Sequence, residues 1–382
     1  MKFDWVKLGL ILFFFSCLLR MTASPTGGHV HRQSDTIGMS VAFANEIKSR
    51  GVAALEFLAY PKILQSGLSK GPVASEFPLT NLLTGPFFLL RNPQMGIILG
   101  SFLILVLNLG VAGLVFPEFL SYFGLTIRPT LSMLLWFTGS TLSIQTYEIM
   151  PEGVGFPLSI LGLTLVLSNR AKILGIFLLN IAIASKPTLV VVLPVVFLLP
   201  NFFHELRNNP KENTKRLATL AISLIFPIYW YVFHNPYIFN HSDAPQIFKQ
   251  AALNPIKNLK ELGWEGLFAL IVREPNEGQF PNFLGLIILG LGLYMRQWLT
   301  IIVYLVMIVF VGALDGRHGL IHSYYFIGLA IYAMLLMAKL SENFETIKQR
   351  WIPRVWVGFL MWGLLFNIRT NIWFWARTTD LG

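Results

Sequence analysis

The stretch HVHRQSD, residues 29–35, places two histidines, an arginine and an aspartate close together, directly after an apolar run. A carboxylate such as Asp35 can act as a general base, because it can accept the proton of a hydroxyl group that attacks a substrate. Asp is also a favoured N-cap residue, so Asp35 could equally start the helix that follows. Capping and catalysis are compatible, but capping alone does not account for His31 and Arg32.

The same stretch contains residue types that bind metal ions. His29 and His31 have an i, i+2 spacing near the carboxylate of Asp35, and this combination can ligate a divalent metal. The sequence does not fix four ligands, so no metal ligand is predicted and a divalent metal cofactor stays an open alternative. The single cysteine, Cys17, lies in an apolar run, which excludes a disulfide framework and a cysteine-based metal site.

Three charged residues interrupt or border later apolar runs. Lys186 lies in the middle of AKILGIFLLNIAIASKPTLVVVLPVVFLLP, where an ammonium group is costly unless it has an anionic partner. Alternatively, its charge reaches the membrane interface by snorkelling. Glu152, which follows IMP, and Glu76 could bind polar substrate groups. For Glu152 the alternative is an acid at a helix start that the helix dipole favours.

The elements that hold these residues must lie in a membrane. The chain has 382 residues, of which 54% are hydrophobic and 13% charged, and its mean hydropathy is +0.62. A soluble core does not use so many separated apolar runs, whereas each membrane crossing needs about 20 apolar residues. The net charge of +10 comes from scattered basic residues without a basic tract or stacking motif, which excludes nucleic acid as a partner. The sequence predicts an all-α polytopic membrane protein that contacts membrane lipids.

The apolar runs predict about 11 transmembrane helices. The first run could be a cleaved signal peptide, but its length suits a tilted span. The run around Lys186 is either one long span or a hairpin. Basic residues on both sides favour the hairpin, because short basic loops stay in the cytoplasm. The predicted spans are 5–22, 94–116, 131–148, 153–168, 172–185, 187–203, 217–234, 281–295, 298–314, 321–339 and 354–372.

Residues 1–382 are interpreted as a single transmembrane domain with two long outer loops, at residues 23–93 and 235–280. Apolar residues recur at helical spacing in TIGMSVAFANEIKSRG of the first loop, and Gly51 can end that helix. This pattern predicts an amphipathic helix at the outer interface. The later apolar piece PLTNLLTGPFFLL is too short to span, so we expect it to lie along the surface or to re-enter.

Five motifs in chain order resemble those of C-type (GT-C) glycosyltransferases, membrane enzymes that take sugars from polyprenyl-phosphate donors. HVHRQSDTIGMSVAFANEI resembles the first outer loop of the branch that contains protein O-mannosyltransferases and the lipid A aminoarabinose transferase. SEFPLTNLL resembles the Glu-x-Pro element of that branch, and EIMPEGVGFPLSILGL resembles its acidic-proline element. ASKPTLVVVLP resembles its Lys-Pro hairpin, and HSYYFIGLAIYAMLL a late aromatic entry into a span. The resemblance covers residues 5–200 and 310–340.

The resemblance implies transfer of a sugar from a polyprenyl-phosphate donor to an acceptor hydroxyl, with Asp35 as the base. Direct attack with a single base on the side opposite the phosphate implies inversion at the anomeric carbon. The departing phosphate needs cations, and Lys186 is the first candidate. Relatives often have a lysine at the position of Phe77, so this departure shifts the phosphate contacts onto Lys186 and the late basic residues. The further candidates are Arg32, Arg273, Arg317 and His322 for the donor phosphate, and His31, Glu76, Glu152, Tyr324 and Tyr325 for the substrate.

Two other functions fit parts of this pattern. Tyr324 and Tyr325 are also typical of the aromatic belt at a membrane surface. Intramembrane polar residues and broken spans occur in transporters and flippases of lipid-linked or polar substrates, although no internal repeat is detected here. A non-catalytic scaffold is the second alternative. For a glycosyltransferase, the acceptor would be a glycan, a lipid or a protein, and the expected location is a bacterial inner membrane with the active site facing outward.

Overall fold

The structure is a computed structural model that describes most of the chain. Across the described residues every regular element is a helix and none is a strand, which confirms the prediction of an all-α protein. The described residues are 4–23, 30–62, 76–200, 202–208, 210–237, 255–315, 323–349 and 351–379.

The helices follow the apolar runs of the sequence. The α-helices are α1 Trp5–Met21, α2 Val30–Arg50, α3 Leu79–Thr84, α4 Pro93–Gly110, α5 Phe116–Ser121, α6 Pro129–Thr138, α7 Ser140–Gln145, α8 Pro151–Ser168, α9 Lys172–Ser185, α10 Phe202–Asn208, α11 Pro210–Ile222, α12 Ile225–Ile228, α13 Pro255–Arg273, α14 Gly285–Tyr294, α15 Trp298–Asp315, α16 Ala330–Glu345 and α17 Trp351–Thr379. Segments of 3-10 helix lie at Gly51–Leu58, Gly85–Leu89, Pro187–Leu198 and Ser323–Leu329, and π-helical turns at Val111–Val115, Tyr229–His234 and Glu274–Gln279.

Several helices are long and apolar enough to cross a membrane. Among the described residues these are Pro93–Ser121, Pro151–Ser168, Thr214–Tyr237, Tyr325–Glu345 and Trp351–Arg377. Shorter apolar helices lie at Leu79–Leu89, Lys172–Ser185, Pro187–Leu198, Gly285–Tyr294 and Trp298–Leu314. The polytopic membrane architecture is therefore confirmed, while the number of 11 crossings stays a prediction.

The apolar stretch around Lys186 folds as the predicted hairpin. Helices α8 and α9 are antiparallel, and a Cβ on Gly162 would lie 2.9 Å from the carbonyl oxygen of Gly175, so the two glycines permit close packing. The membrane helix Thr214–Tyr237, which follows the hairpin, runs parallel to α9. The Asn180 side chain donates to the carbonyl of Ile222 there, and the Tyr231 hydroxyl donates to the carbonyl of Ala184 further along. The 3-10 segment Pro187–Leu198 must therefore return toward the start of α9.

The predicted span 131–148 is not one continuous helix. Helix α6 ends at Thr138, and Gly139 has an extended conformation (φ −76°, ψ 135°) before α7 begins. A Cβ on Gly139 would lie 2.6 Å from the carbonyl oxygen of Gln279, so the break lets the backbone of another segment approach closely. The sequence analysis did not predict this break, although the polar residues Thr138, Ser140 and Thr141 flank Gly139 within the apolar run.

The helices of the first outer loop pack onto the bundle. Gly51 has a left-handed φ of 58° directly after the end of α2, as predicted for the residue that ends this helix. Ile37 and Val41 pack in one apolar cluster with Leu79 of α3 and with residues of α4 and α8. The apolar face of α2 therefore contacts protein, and its location at the membrane surface stays a prediction.

Candidate active site

A buried lysine paired with two carboxylates forms the centre of the candidate site. The Nζ atom of Lys186 lies 2.6 Å from Oε1 of Glu152 and 3.1 Å from Oε1 of Glu76. The same Nζ lies 4.2 Å from the centre of the Tyr325 ring, a cation–π distance. Lys186 is 1% exposed, so the snorkelling interpretation is wrong. We refer to these four residues as the Lys186 cluster.

Local sequence explains how Lys186 leaves its helix. A residue before proline is disfavoured in the α conformation, and Lys186 precedes Pro187, so its backbone is extended (φ −152°, ψ 105°). The carbonyl of Ala184, at the end of α9, accepts hydrogen bonds from the Phe77 N–H at 3.0 Å and from the Tyr231 hydroxyl at 2.8 Å. These bonds fix the backbone two residues before the lysine.

Glu152 is placed by the start of α8. Pro151 is the first residue of this helix, which suits the missing N–H of proline, and Glu152 follows in the first turn. The predicted helix-start role is therefore correct, and the dipole favours an acid there. Glu152 is also fully buried and contacts Lys186, so helix capping is only part of what it does.

Phe77, the residue after Glu76, packs among aromatic side chains. Its ring makes edge-on contacts with Phe226 and Trp230, with ring centroids 5.2 Å apart in both cases. The position is therefore part of an aromatic contact beside α9, and it holds the backbone next to Glu76 against Ala184.

Asp35 does not cap a helix, which corrects one of the two interpretations of this residue. Helix α2 already begins at Val30, because the sequence has no glycine or proline between Val30 and Ile37 that would stop it. Asp35 is half-buried within the helix. The carbonyl of Thr36, the next residue, accepts a 2.7 Å hydrogen bond from the Asn81 side chain of α3.

Helix α3 connects the two parts of the candidate site. It begins at Leu79, three residues after Glu76, and its Thr84 hydroxyl lies 2.9 Å from the Ser40 hydroxyl of α2. The structure thus brings Glu76 and Glu152 to Lys186. The segment that carries Glu76 continues into α3, and α3 is hydrogen-bonded to α2, the helix that carries Asp35.

Several predicted site residues lie outside the described part of the chain. The structure does not describe His29, Arg317 or His322, nor the side chains of His31, Arg32 and Tyr324. No group of three or more His, Cys, Asp and Glu side chains that could hold a metal occurs among the described residues. The metal alternative at residues 29–35 is therefore untested.

Glu148 is an acid at the site that the sequence analysis missed. It lies in the turn between α7 and α8 and is 4% exposed. Burial raises the pKa of Glu148 to about 8; the guanidinium of Arg20 opposes this shift and the charge of Glu152 adds to it. The signal was present in the motif EIMPEG, where Glu148 precedes Glu152 by one helical turn in sequence.

Four buried polar atoms in α7 and in the segment after Lys186 lack hydrogen-bond partners among the described residues. They are the hydroxyls of Ser143 and Thr188 and both polar atoms of the Gln145 amide. The carbonyl of Gln145 adjoins Gly153, the residue after Glu152, and Thr188 is two residues beyond Lys186. Buried polar groups normally have a partner, so water or a polar ligand is expected there.

A second ion pair borders the segment that carries Tyr325. Arg273 donates from Nη2 and Nε to Oε1 of Glu274, at 2.6 and 3.2 Å. Burial raises the pKa of Glu274 to about 7, against the opposing effect of Arg273. Gln279 donates to the carbonyl of Phe326 at 3.1 Å, so this pair lies on the segment that packs beside Tyr325.

Fold and site define the class of structure: an all-α membrane bundle with short helices of the first loop beside a buried cluster of a lysine and carboxylates. The chain is similar to the crystal structure of ArnT from Cupriavidus metallidurans bound to undecaprenyl phosphate, with a TM-score of 0.52 and 13% identity over 98% of this chain and 76% of that chain. ArnT from the same organism in the apo state gives a TM-score of 0.51 and 12% identity over 98% and 77%. No family model and no curated protein matches the sequence. The predicted resemblance is therefore confirmed for the fold, which the chain shares with these two ArnT structures.

Proposed function

We propose that the protein is a membrane glycosyltransferase that moves a sugar from a polyprenyl-phosphate donor to an acceptor hydroxyl. The observation that carries the proposal is the likeness to ArnT over nearly the whole chain, together with the undecaprenyl phosphate bound in one of those structures. The buried Lys186 ammonium group supports it, because a cation at the end of an apolar run can interact with the phosphate of a lipid donor.

In this mechanism Asp35 is the general base. The acceptor oxygen forms a bond to the anomeric carbon while the bond between that carbon and the phosphate oxygen breaks. Asp35 accepts the hydroxyl proton, and the polyprenyl phosphate leaves with the electron pair of the broken bond. Direct attack from the side opposite the phosphate inverts the configuration at the anomeric carbon.

The negative charge on the departing phosphate requires cations. Lys186 is the described residue that we assign to this role, with Tyr325 beside it, because a buried ammonium group interacts strongly with an anion in a region of low dielectric. Arg32, Arg317 and His322 are further candidates for the phosphate. His31, Glu76, Glu152 and Tyr324 are the candidates for the sugar hydroxyls.

We place the active site on the outer face of a bacterial inner membrane. The Lys186 cluster lies at the end of the bundle where α9 finishes, whereas Arg170 pairs with Glu118 at the opposite end, at 3.1 Å. Short basic loops such as the one at Arg170 stay in the cytoplasm, which supports this orientation. The acceptor is a glycan, a lipid or a protein.

A transfer assay with the purified protein in lipid nanodiscs tests the proposal. The donors are a panel of undecaprenyl-phosphate sugars, and the measurement is the release of undecaprenyl phosphate with and without membrane extract as the acceptor source. We expect release with at least one donor and its loss in Asp35→Asn. A protein that moves these lipids across proteoliposome membranes but never cleaves them would instead be a flippase.

A further inference from the structure

Three contacts of the Lys186 ammonium group with described residues differ in how easily they can be broken. An ammonium group has three N–H donors, and here Glu152, Glu76 and the Tyr325 ring surround it. Glu152 is 0% exposed and lies at 2.6 Å, whereas the Glu76 side chain is 14% exposed and lies at 3.1 Å. Glu76 is therefore the more accessible and more distant carboxylate.

The backbone around these two acids reinforces the difference. Glu152 belongs to the first turn of α8, so its side chain starts from a regular helix in the bundle. Glu76 lies outside regular secondary structure, while Phe77 holds the adjacent backbone to Ala184 and to the aromatic rings of Phe226 and Trp230. A rotation of the Glu76 side chain toward solvent therefore needs no movement of a helix.

Charge determines what a phosphate must do to reach Lys186. If a phosphate joined the cluster while both acids stayed, three anionic groups would surround one ammonium group in a buried region. Like charges at such short range are strongly unfavourable. If the phosphate replaces one carboxylate, the ammonium group still lies between two anions.

We propose that Glu76 is a displaceable counter-ion that occupies the donor-phosphate position at Lys186 until the lipid donor binds. This proposal rests on the proposed function, because it takes the phosphate of a polyprenyl donor as the group that displaces Glu76. Glu152 stays with Lys186 throughout. The Glu76 carboxylate, once released, can accept a hydrogen bond from a sugar hydroxyl, in agreement with its predicted substrate contact.

Binding of undecaprenyl phosphate to protein in nanodiscs tests this directly, with uncharged undecaprenol as the reference lipid. Glu76→Gln keeps the shape of the side chain but removes the competing charge, so it should bind undecaprenyl phosphate roughly 10-fold more tightly than the wild type. Glu76→Asp, whose carboxylate is shorter by one methylene group, should show a smaller gain. Glu118→Gln, at the other end of the bundle, is the matched control and should bind as the wild type does.

Each outcome separates the two proposals. If the wild type prefers undecaprenyl phosphate to undecaprenol but neither Glu76 variant binds it more tightly, the displacement proposal is wrong and the donor class stands. If the wild type does not distinguish the two lipids, the proposed donor class is wrong, and the role of Glu76 fails with it. Thermal unfolding of each variant verifies that it is folded, and the Asp variant gives the result if Glu76→Gln does not fold.

Discussion

The ammonium nitrogen of Lys186 lies 2.6 Å from a carboxylate oxygen of Glu152, and both side chains are almost completely removed from solvent. A buried pair of this kind is a weak stabiliser as a whole, but the loss of one partner leaves the other charge buried without its counter-ion. The contact therefore makes Lys186 important for the stability of the fold, in addition to the role in donor binding that we propose for it.

Lys186→Met should lower the free energy of unfolding by about 3–5 kcal/mol, because Glu152 then keeps a buried charge without the lysine. The double variant Lys186→Met/Glu152→Gln removes both charges, so it should recover much of this loss. Thermal unfolding in detergent measures the stability of both. The double variant should still lack transferase activity if Lys186 contacts the phosphate, and wild-type transfer by a stable double variant would contradict that role.

Asp35→Asn should reduce sugar transfer by roughly 10²-fold or more, the usual scale for the loss of a general base. The change removes the basic carboxylate within α2 and keeps the size of the side chain, so the unfolding temperature should change little. Asp4→Asn, at the exposed N-cap of α1, is the matched control and should retain activity. Near-wild-type transfer by folded Asp35→Asn protein would exclude this residue as the base.

Glu148 should make the folded protein less stable as the pH rises. Its pKa is about 8 in the folded protein against a reference value of 4.5, so the folded state holds a proton that the unfolded chain releases between these values. The free energy of unfolding should therefore fall from about pH 4.5 to about pH 8. The Gln side chain of Glu148→Gln is uncharged at every pH, so the unfolding temperature of this variant should fall less between about pH 4.5 and about pH 8. Glu118→Gln is the control and should show the same fall as the wild type.

Gly153→Ala should destabilise the protein near the site. A Cβ at this position would collide with the carbonyl oxygen of Gln145 and lie 3.1 Å from that of Glu148, so the turn between α7 and α8 would have to shift. We expect a loss of roughly 1–3 kcal/mol in stability, as for other overpacked positions, together with lower transfer activity. Gly110→Ala is the control in thermal unfolding, because nothing lies within 4 Å of its added Cβ. An equal effect of both changes would contradict the close approach.

The sequence alone was sufficient for most of the helices, because their signals are local. Long apolar runs predict membrane helices, and Gly51 ends α2 as expected. The basic residues on both sides of the run around Lys186 favoured the hairpin that the structure has. The order of the motifs also predicted the fold that the chain shares with ArnT, since each motif belongs to a short segment whose residues are neighbours in the chain.

The tertiary structure decided the partners of the charged residues. Lys186 is separated from Glu76 by 110 positions, and no local pattern states that these side chains meet. The same holds for the break at Gly139, which depends on the distant carbonyl of Gln279, and for the raised pKa of Glu148, which depends on burial. The physical reason is that helix formation follows from neighbours along the chain, whereas desolvation and ion pairing depend on which helices pack together.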